Sequence, residues 1–191
     1  MKSRETYRLT GLVQGVGFRP TLWRTAKRLH LTGCVYNDAQ GVTAVVEGDA
    51  EQLALFSETL RRDVAREAPL ARIDGIERVR IEAPRGDTDF VITESRAGRA
   101  RTLVTPDAAT CPACTREIFD PQNRRYRYAF TNCTHCGPRF TITRRIPYDR
   151  QTTSMAGFTM CPACRREYDD PADRRFHAQP NACPRCGPKL T

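Results

Sequence analysis

No stretch of the 191-residue chain approaches the roughly 18 consecutive apolar residues that a membrane-spanning helix needs. The first eight residues, Met1 to Arg8, are polar and charged and contain no apolar h-region, so the chain reads as cytoplasmic. Acidic residues are outnumbered, 22 against 31 lysines and arginines, which gives a formal charge of +9. That balance points to nucleic acid, an acidic partner or anionic substrates. It shrinks if metal is bound, because eight thiolates around two divalent ions would lower the formal charge by four. The nine cysteines mostly fall in close pairs, which argues for metal rather than a secreted disulfide framework. A composition 39% hydrophobic and 28% charged excludes a disordered chain and suits one or two folded domains.

The first chemical signal is the stretch Gly11-Leu12-Val13-Gln14-Gly15-Val16-Gly17-Phe18-Arg19-Pro20. An apolar β-type run (Tyr7, Leu9, Leu12, Val13) leads into three glycines, an arginine and a helix-compatible segment. Glycine permits the tight backbone in which successive N–H groups face one anion. A helix N-terminus adds partial positive charge, and a guanidinium can clamp phosphate oxygens. On spacing alone, a glycine-rich strand-to-helix turn with a solvated arginine accounts for the stretch equally well.

The following elements are predicted from periodicity. Pro20 to Leu31 reads as a helix on Leu22, Ala26 and Leu29, ended by Thr32-Gly33. Cys34–Asn37 and Val42–Glu47 flank a turn over 38–41 and make a hairpin. Asp49 caps a second helix with the stripe Leu53, Phe56, Leu60 and Val64, and Pro69 lies beyond its end. Ile76–Ile81 and Phe90–Thr93 read as further strands. The order β-α-β-β-α-β plus a short extra strand predicts an α+β, ferredoxin-like sandwich. Cys34 reads as a small buried residue and His30 as a helix C-terminal capping residue. Asn37 alone reads as a hairpin residue bonded to its own backbone.

Residues Arg96–Arg101 are small and basic and read as part of a linker, with a boundary near Ser95. The strongest internal signal follows. Cys111-Pro112-Ala113-Cys114 and Cys133-Thr134-His135-Cys136 are separated by 18 residues. Twenty-four residues later, Cys161-Pro162-Ala163-Cys164 and Cys183-Pro184-Arg185-Cys186 repeat that 18-residue gap. The period is 50, and Glu117/Glu167, Asp120-Pro121/Asp170-Pro171, Arg124-Arg125/Arg174-Arg175 and Gly137-Pro138/Gly187-Pro188 also match. Four thiols in C-x-x-C pairs suit a tetrahedral zinc site with no position left for water, so two structural zinc ions are expected. They would replace a core that units of about 30 residues cannot build. Redox C-x-x-C pairs or iron in the same cage explain the repetition less well. Sequential sharing of each metal is the expectation, and nested sharing, first knuckle with last, is the alternative. His135 is not called a ligand, because the sulfur set is complete without it.

The motifs Gly11-x-Val13-Gln14-Gly15-Val16-x-Phe18-Arg19 and Gly33-x-Val35-x-Asn37-x-x-x-Gly41-Val42 resemble those of the acylphosphatases, over about the first 95 residues. The resemblance implies that Arg19 and the loop Gln14, Gly15, Val16, Gly17, Phe18 and Arg19 bind the substrate phosphate, and that Asn37 positions the attacking water. An acyl phosphate has a good carboxylate leaving group, so an oriented water and stabilised phosphoryl oxygens suffice, and no strong base is required. With the knuckles, Pro147-Tyr148-Asp149-Arg150 and Asp173 to Pro180, the whole chain resembles the HypF-type carbamoyltransferases of nickel-iron hydrogenase maturation. That resemblance implies three units, an acylphosphatase-like domain (1–95), a linker (96–108) and a tandem zinc-finger domain (109–191, repeats near 109–141 and 159–191), in a fragment of a longer enzyme. It further implies hydrolysis of carbamoyl phosphate, an ATP-dependent adenylation on domains beyond this chain, and carbamoyl transfer to a thiol of a HypE-type partner protein as the cyanide-ligand precursor. The metal ligands would be Cys111, Cys114, Cys133, Cys136, Cys161, Cys164, Cys183 and Cys186. A nucleic-acid-binding zinc module, using Arg124 to Tyr128 and Arg174 to Phe176, is the disfavoured rival, and a catalytically idle interaction platform is another.

Overall fold

The structure, a computed structural model, describes residues 2–96 and 106–190. Most of the predicted linker therefore lies outside the described residues. The first half is a five-stranded sheet in the order β4-β1-β3-β2-β5. Its strands are β1 (Lys2–Leu12), β2 (Thr32–Asp38), β3 (Gly41–Asp49), β4 (Arg72–Glu82) and β5 (Phe90–Ile92). All neighbours are antiparallel except β2 and β5. One face carries α1 (Phe18–Arg28) and α2 (Ala50–Glu67). This is the predicted α+β, ferredoxin-like sandwich.

The alternation of a half-buried strand sets the core. Tyr7 and Leu9 of β1, Val35 of β2 and Val42, Ala44 and Val46 of β3 meet Phe18 and Leu22 of α1 and Leu53, Phe56, Leu60 and Val64 of α2. At about 25 cal/mol per Å² of apolar area removed from water, such side chains contribute roughly 1.5–3 kcal/mol each. Asp49 stands before α2, and its N–H donates to Gln52 Oε1 at 2.9 Å, half of a capping box.

Three expectations need correction. The first helix begins at Phe18, not Pro20, because Gly17 takes a left-handed φ of 78° and turns the chain one step earlier. Pro20 sits within the first turn, where its missing N–H costs nothing. Thr32-Gly33 does not end that helix but opens β2, since the ladder with β3 runs back to Thr32 opposite Glu47. The left-handed His30, with φ 55°, makes the break. Cys34 is only half-buried. It alternates with Val35 and so lies on the sheet face away from the helices, near the buried Arg4–Glu47 pair.

The second half consists of two like units. Helices α3 (Pro112–Phe119) and α4 (Pro162–Asp169) each start just after the first cysteine of a pair, with proline at the first helical position. Each is followed by a chain of turns ending in a second knuckle. The repeats share backbone shape in detail. Arg127 and His177, 50 residues apart, are both left-handed, at φ 55° and 53°. Their N–H groups donate to Ile118 and Tyr168 carbonyls at 2.8 and 3.0 Å. The two halves also touch: Trp23 of α1 packs edge-on against Phe176 with ring centres 5.6 Å apart. Among the described residues no helix is long and apolar enough to cross a membrane.

Candidate active site and metal centres

The loop between β1 and α1 alternates left-handed glycines, Gly15 at φ 73° and Gly17 at φ 78°, with Val16 and Phe18. The side chains of Val16 and Phe18 enter the core, which pins the loop from beneath. Alternation of this kind turns successive N–H groups to one side. Among the described residues none accepts a hydrogen bond from the N–H of Gly15, Val16 or Gly17. The loop therefore presents free donors at the N-terminus of α1, a place suited to an anion. Gln14 has a different task. Its Nε2 donates to the Asp38 and Gly41 carbonyls, each at 2.8 Å, and ties the loop to the β2–β3 hairpin.

Arg19 projects from the first turn of α1 and is 7% exposed. Its Nη2 donates to Asp149 Oδ1 at 2.8 Å, and Nη1 lies 3.5 Å from Ser95 Oγ. Asn37 is fully buried, and neither polar atom of its carboxamide has a partner. It shares the helix-covered face of the sheet with Val35, two residues earlier on β2, and therefore lies on the same side as Arg19. The segment Ser95–Arg96 spans the two places, since Arg96 N donates to the Asn37 carbonyl at 2.9 Å while Ser95 Oγ lies near Arg19. An unpaired buried carboxamide costs about 1–3 kcal/mol per group and calls for an explanation.

The sequence gives no sign that the second half closes over this loop. A Cβ on Gly15 would lie 2.5 Å from Pro138 Cβ and 3.0 Å from Tyr148 Cδ1, and one on Gly17 would lie 3.1 Å from Thr134 Cβ. Tyr148 N donates to Gln14 Oε1 at 3.2 Å. A cavity of about 20 Å³ remains between loop and cover, walled by Gly15, Gly17 and Arg19 on one side and by Asn132, Thr134 and His177 on the other. A wider cleft of about 620 Å³ opens beside Arg19, Asp149 and His177. Burial pushes the His177 imidazole down to about 4, with the neighbouring Arg19 charge adding to the shift and Asp149 opposing it. Asp149, Tyr148, His177 and Asn132 line this place, and sequence reasoning assigned none of them to the site, although Tyr148, Asp149 and His177 fall in the stretches that carry the HypF-type resemblance. The available signal was the set of positions where the two repeats differ, such as Asn132 against Ala182 and His177 against Arg127.

The cysteines form two clusters, Cys111–Cys114–Cys133–Cys136 and Cys161–Cys164–Cys183–Cys186, with the four sulfurs of each within 4.8 Å of one another. The grouping is sequential, not nested. Neighbouring sulfurs lie 3.6–3.9 Å apart. A regular tetrahedron with about 2.3 Å metal–sulfur bonds has edges of about 3.8 Å, so the donor set fits a zinc ion. The clusters are cross-braced. Arg124 of the first repeat donates to Cys164 Sγ at 3.3 Å, and Arg174 of the second to Cys114 Sγ at 2.8 Å. Arg125 pairs with Glu167 and reaches the Ala182 carbonyl at 2.9 Å. In return Arg175 pairs with Glu117 and reaches the Asn132 carbonyl at 3.1 Å. Burial would raise the Glu167 carboxyl, but hydrogen bonds from Arg125 and Arg124 hold it down at about 2.

Comparison with known proteins agrees with this geometry. The acylphosphatase family pattern matches residues 5–92, and the HypF finger pattern matches twice, over 110–143 and 160–191. The chain is 52% identical over 153 residues to carbamoyltransferase HypF2 of Cupriavidus necator, covering 79% of this chain and 19% of that protein. It is 39% identical over 93 residues to an acylphosphatase of Moorella thermoacetica, covering 48% of this chain and 95% of the relative. A full-length HypF crystallised in a phosphate- and nucleotide-bound form superposes with a TM-score of 0.90 at 44% identity, over 100% of this chain and 25% of that one. The chain thus spans about one fifth of the length of the curated HypF relatives it matches. An acylphosphatase unit followed by two copies of the HypF finger places this chain in the HypF family.

Proposed function

We propose that the chain hydrolyses carbamoyl phosphate to carbamate and phosphate, as the first step of a carbamoyltransferase. The loop amides of Gly15, Val16 and Gly17 and the Arg19 guanidinium would hold the equatorial phosphoryl oxygens. Asn37 would orient a water in line with the bond to carbamate. The water oxygen bonds to phosphorus as the phosphorus–oxygen bond to carbamate breaks, and the proton passes to a phosphoryl oxygen. The observation that carries this reading is the set of free loop amides beside a buried arginine, with an unpartnered carboxamide on the same side of the sheet. The matched HypF structure holds phosphate and nucleotide, which suits the same assignment.

The wider role is the one the resemblance to HypF-type carbamoyltransferases implies, and it goes beyond this chain. The carbamate would be adenylated with ATP on further domains and the carbamoyl group passed to a HypE-type partner thiol, toward the cyanide ligand of a nickel-iron hydrogenase. The acylphosphatase unit would be residues 1–95, joined through 96–108 to a finger unit of 109–191, acting in the cytoplasm. Two zinc ions, held by the two four-cysteine sets, would be structural, each with four sulfurs and no open position. The nucleic-acid reading loses ground because Arg124, Arg125, Arg174 and Arg175 are engaged with sulfurs and glutamates.

The test is phosphate release from carbamoyl phosphate by the purified chain, with zinc content determined on the same sample. Arg19→Ala is expected to lower the rate at least about a hundredfold. An unchanged rate in that variant would overturn the assignment.

A further inference from the structure

Asn132 lines the small cavity between the glycine loop and the first finger repeat, 3% exposed, and neither its Oδ1 nor its Nδ2 has a partner. Two other polar side chains on that wall, those of Thr134 and Gln179, are satisfied. Thr134 Oγ1 donates to the Arg174 carbonyl at 3.0 Å. Gln179 accepts from Arg150 N at 2.8 Å and donates to the His177 carbonyl at 2.8 Å.

The finger itself does not require this carboxamide. The equivalent position in the second repeat is Ala182, which is 2% exposed. Both residues do the same backbone work, each carbonyl accepting from the guanidinium Nε of the other repeat's arginine, Arg175 to Asn132 and Arg125 to Ala182. The side chain is therefore an addition found only in the copy that faces the loop. A buried amide with both its donor and its acceptor free is complementary to another amide-like group. A cavity of about 20 Å³ admits a group of roughly the size of one water, which an amino group matches.

We infer that Asn132, supplied by the first finger, reads the carbamoyl end of the substrate. Its Oδ1 accepts from the carbamoyl amino group and its Nδ2 donates to the carbamoyl oxygen. The inference rests on the acyl phosphate reading above and narrows it, since the finger unit makes the site selective for carbamoyl over other small acyl phosphates. Acetyl phosphate has nearly the same shape but offers a methyl where the amino group would sit, leaving Oδ1 buried and unpaired. Sites built to pair a polar group reject the analogue that lacks it far more strongly than a shape difference alone would.

The experiment compares kcat/KM for carbamoyl and acetyl phosphate in the unmodified chain and in Asn132→Ala. The alanine at the same place in the second repeat indicates that the variant folds, and its zinc-to-protein ratio checks this. A carbamoyl preference of about tenfold or more is expected, and it collapses in the variant, because carbamoyl phosphate loses both hydrogen bonds to Asn132 whereas acetyl phosphate, with no amino group, loses only the one to its carbonyl oxygen. Equal loss on both substrates, or no preference to begin with, overturns the inference and leaves the hydrolase reading standing. Hydrolysis of neither substrate overturns the hydrolase reading. Calorimetry with phosphonoacetamide and 2-oxopropylphosphonate then decides the amide pairing without turnover. Tighter binding of the amide, lost in Asn132→Ala, supports it, and equal or absent binding overturns it.

Discussion

Arg19 and Asp149 are 130 residues apart in the chain and 2.8 Å apart in the structure. One belongs to the first turn of α1 in the acylphosphatase unit and the other to the connector between the finger repeats. The carboxylate occupies one nitrogen of the guanidinium that the phosphate would also use. A dianion arriving there meets a like charge at close range. Removing that charge while keeping an acceptor, as Asp149→Asn does, is therefore expected to tighten inorganic phosphate binding by about three- to tenfold, on the order of 1 kcal/mol. Calorimetric titration reads it. Weaker binding in Asp149→Asn would mean that the aspartate serves mainly to hold Arg19 in place.

Asn37 allows function and stability to be separated. Its buried carboxamide satisfies neither donor nor acceptor in the absence of a ligand. Truncation to alanine removes a desolvation cost of about 1–3 kcal/mol and leaves a small cavity that costs a comparable amount. Thermal unfolding of Asn37→Ala is therefore expected within a few degrees of the unmodified chain, while kcat for acyl phosphate falls by about two orders of magnitude. A large drop in Tm would show that the residue has a structural hydrogen bond instead.

The sheet was legible because its signals are local. Alternating runs, a short hairpin turn and a capping aspartate at Asp49 each lie within a few residues of the element they define, and the 50-residue repeat is visible in the cysteines alone. Boundaries at Gly17 and Thr32 were misread because a left-handed glycine and a ladder partner decided them, not composition. The acylphosphatase motifs pointed to Arg19 and Asn37, and the structure sets Arg19 in the first turn of α1 and Asn37 near the end of β2. What covers that loop was not legible. Pro138, Tyr148 and Thr134 pack against Gly15 and Gly17 across more than 100 residues of chain, and no periodicity encodes such a contact. The exchange of arginines between repeats was hidden for a related reason, since a repeat shows that two units are alike but not that each completes the other.

That exchange predicts coupled metal release. Arg125 is 2% exposed and pairs with Glu167 beside the second sulfur cluster, while Arg175 does the same for the first with Glu117. Removing one partner of a buried ion pair costs about 3–5 kcal/mol because it strands the other charge. Loss of one metal should therefore loosen the arginines that brace the other. Zinc withdrawal by a chromophoric chelator is expected to proceed as one cooperative step in the unmodified chain and as two steps in Arg125→Ala. The single tryptophan, Trp23, supplies an internal reporter. Its contact with Phe176 should be lost on chelation, with a red shift of its emission. Two independent release steps in the unmodified chain would contradict the cross-bracing.

His177 sets the expected response to acid. Its imidazole, held at about 4 by burial and the Arg19 charge, is neutral in the folded chain where an unfolded one would titrate near 6.5. A histidine whose folded value is depressed binds its proton more readily in the unfolded state. Stability should accordingly fall as pH drops from about 6.5 toward 4 and change no further from this group below that. Above about 6.5 the contribution is constant. Substituting His177→Gln keeps a polar side chain of similar reach beside Arg19, Asp149 and Tyr168 but removes the titration. Denaturant midpoints measured at pH 7 and pH 5 should then lie closer together in the variant than in the unmodified chain. A pH dependence identical in the two proteins would assign the acid sensitivity to other groups, such as the carboxylates paired with Arg125 and Arg175.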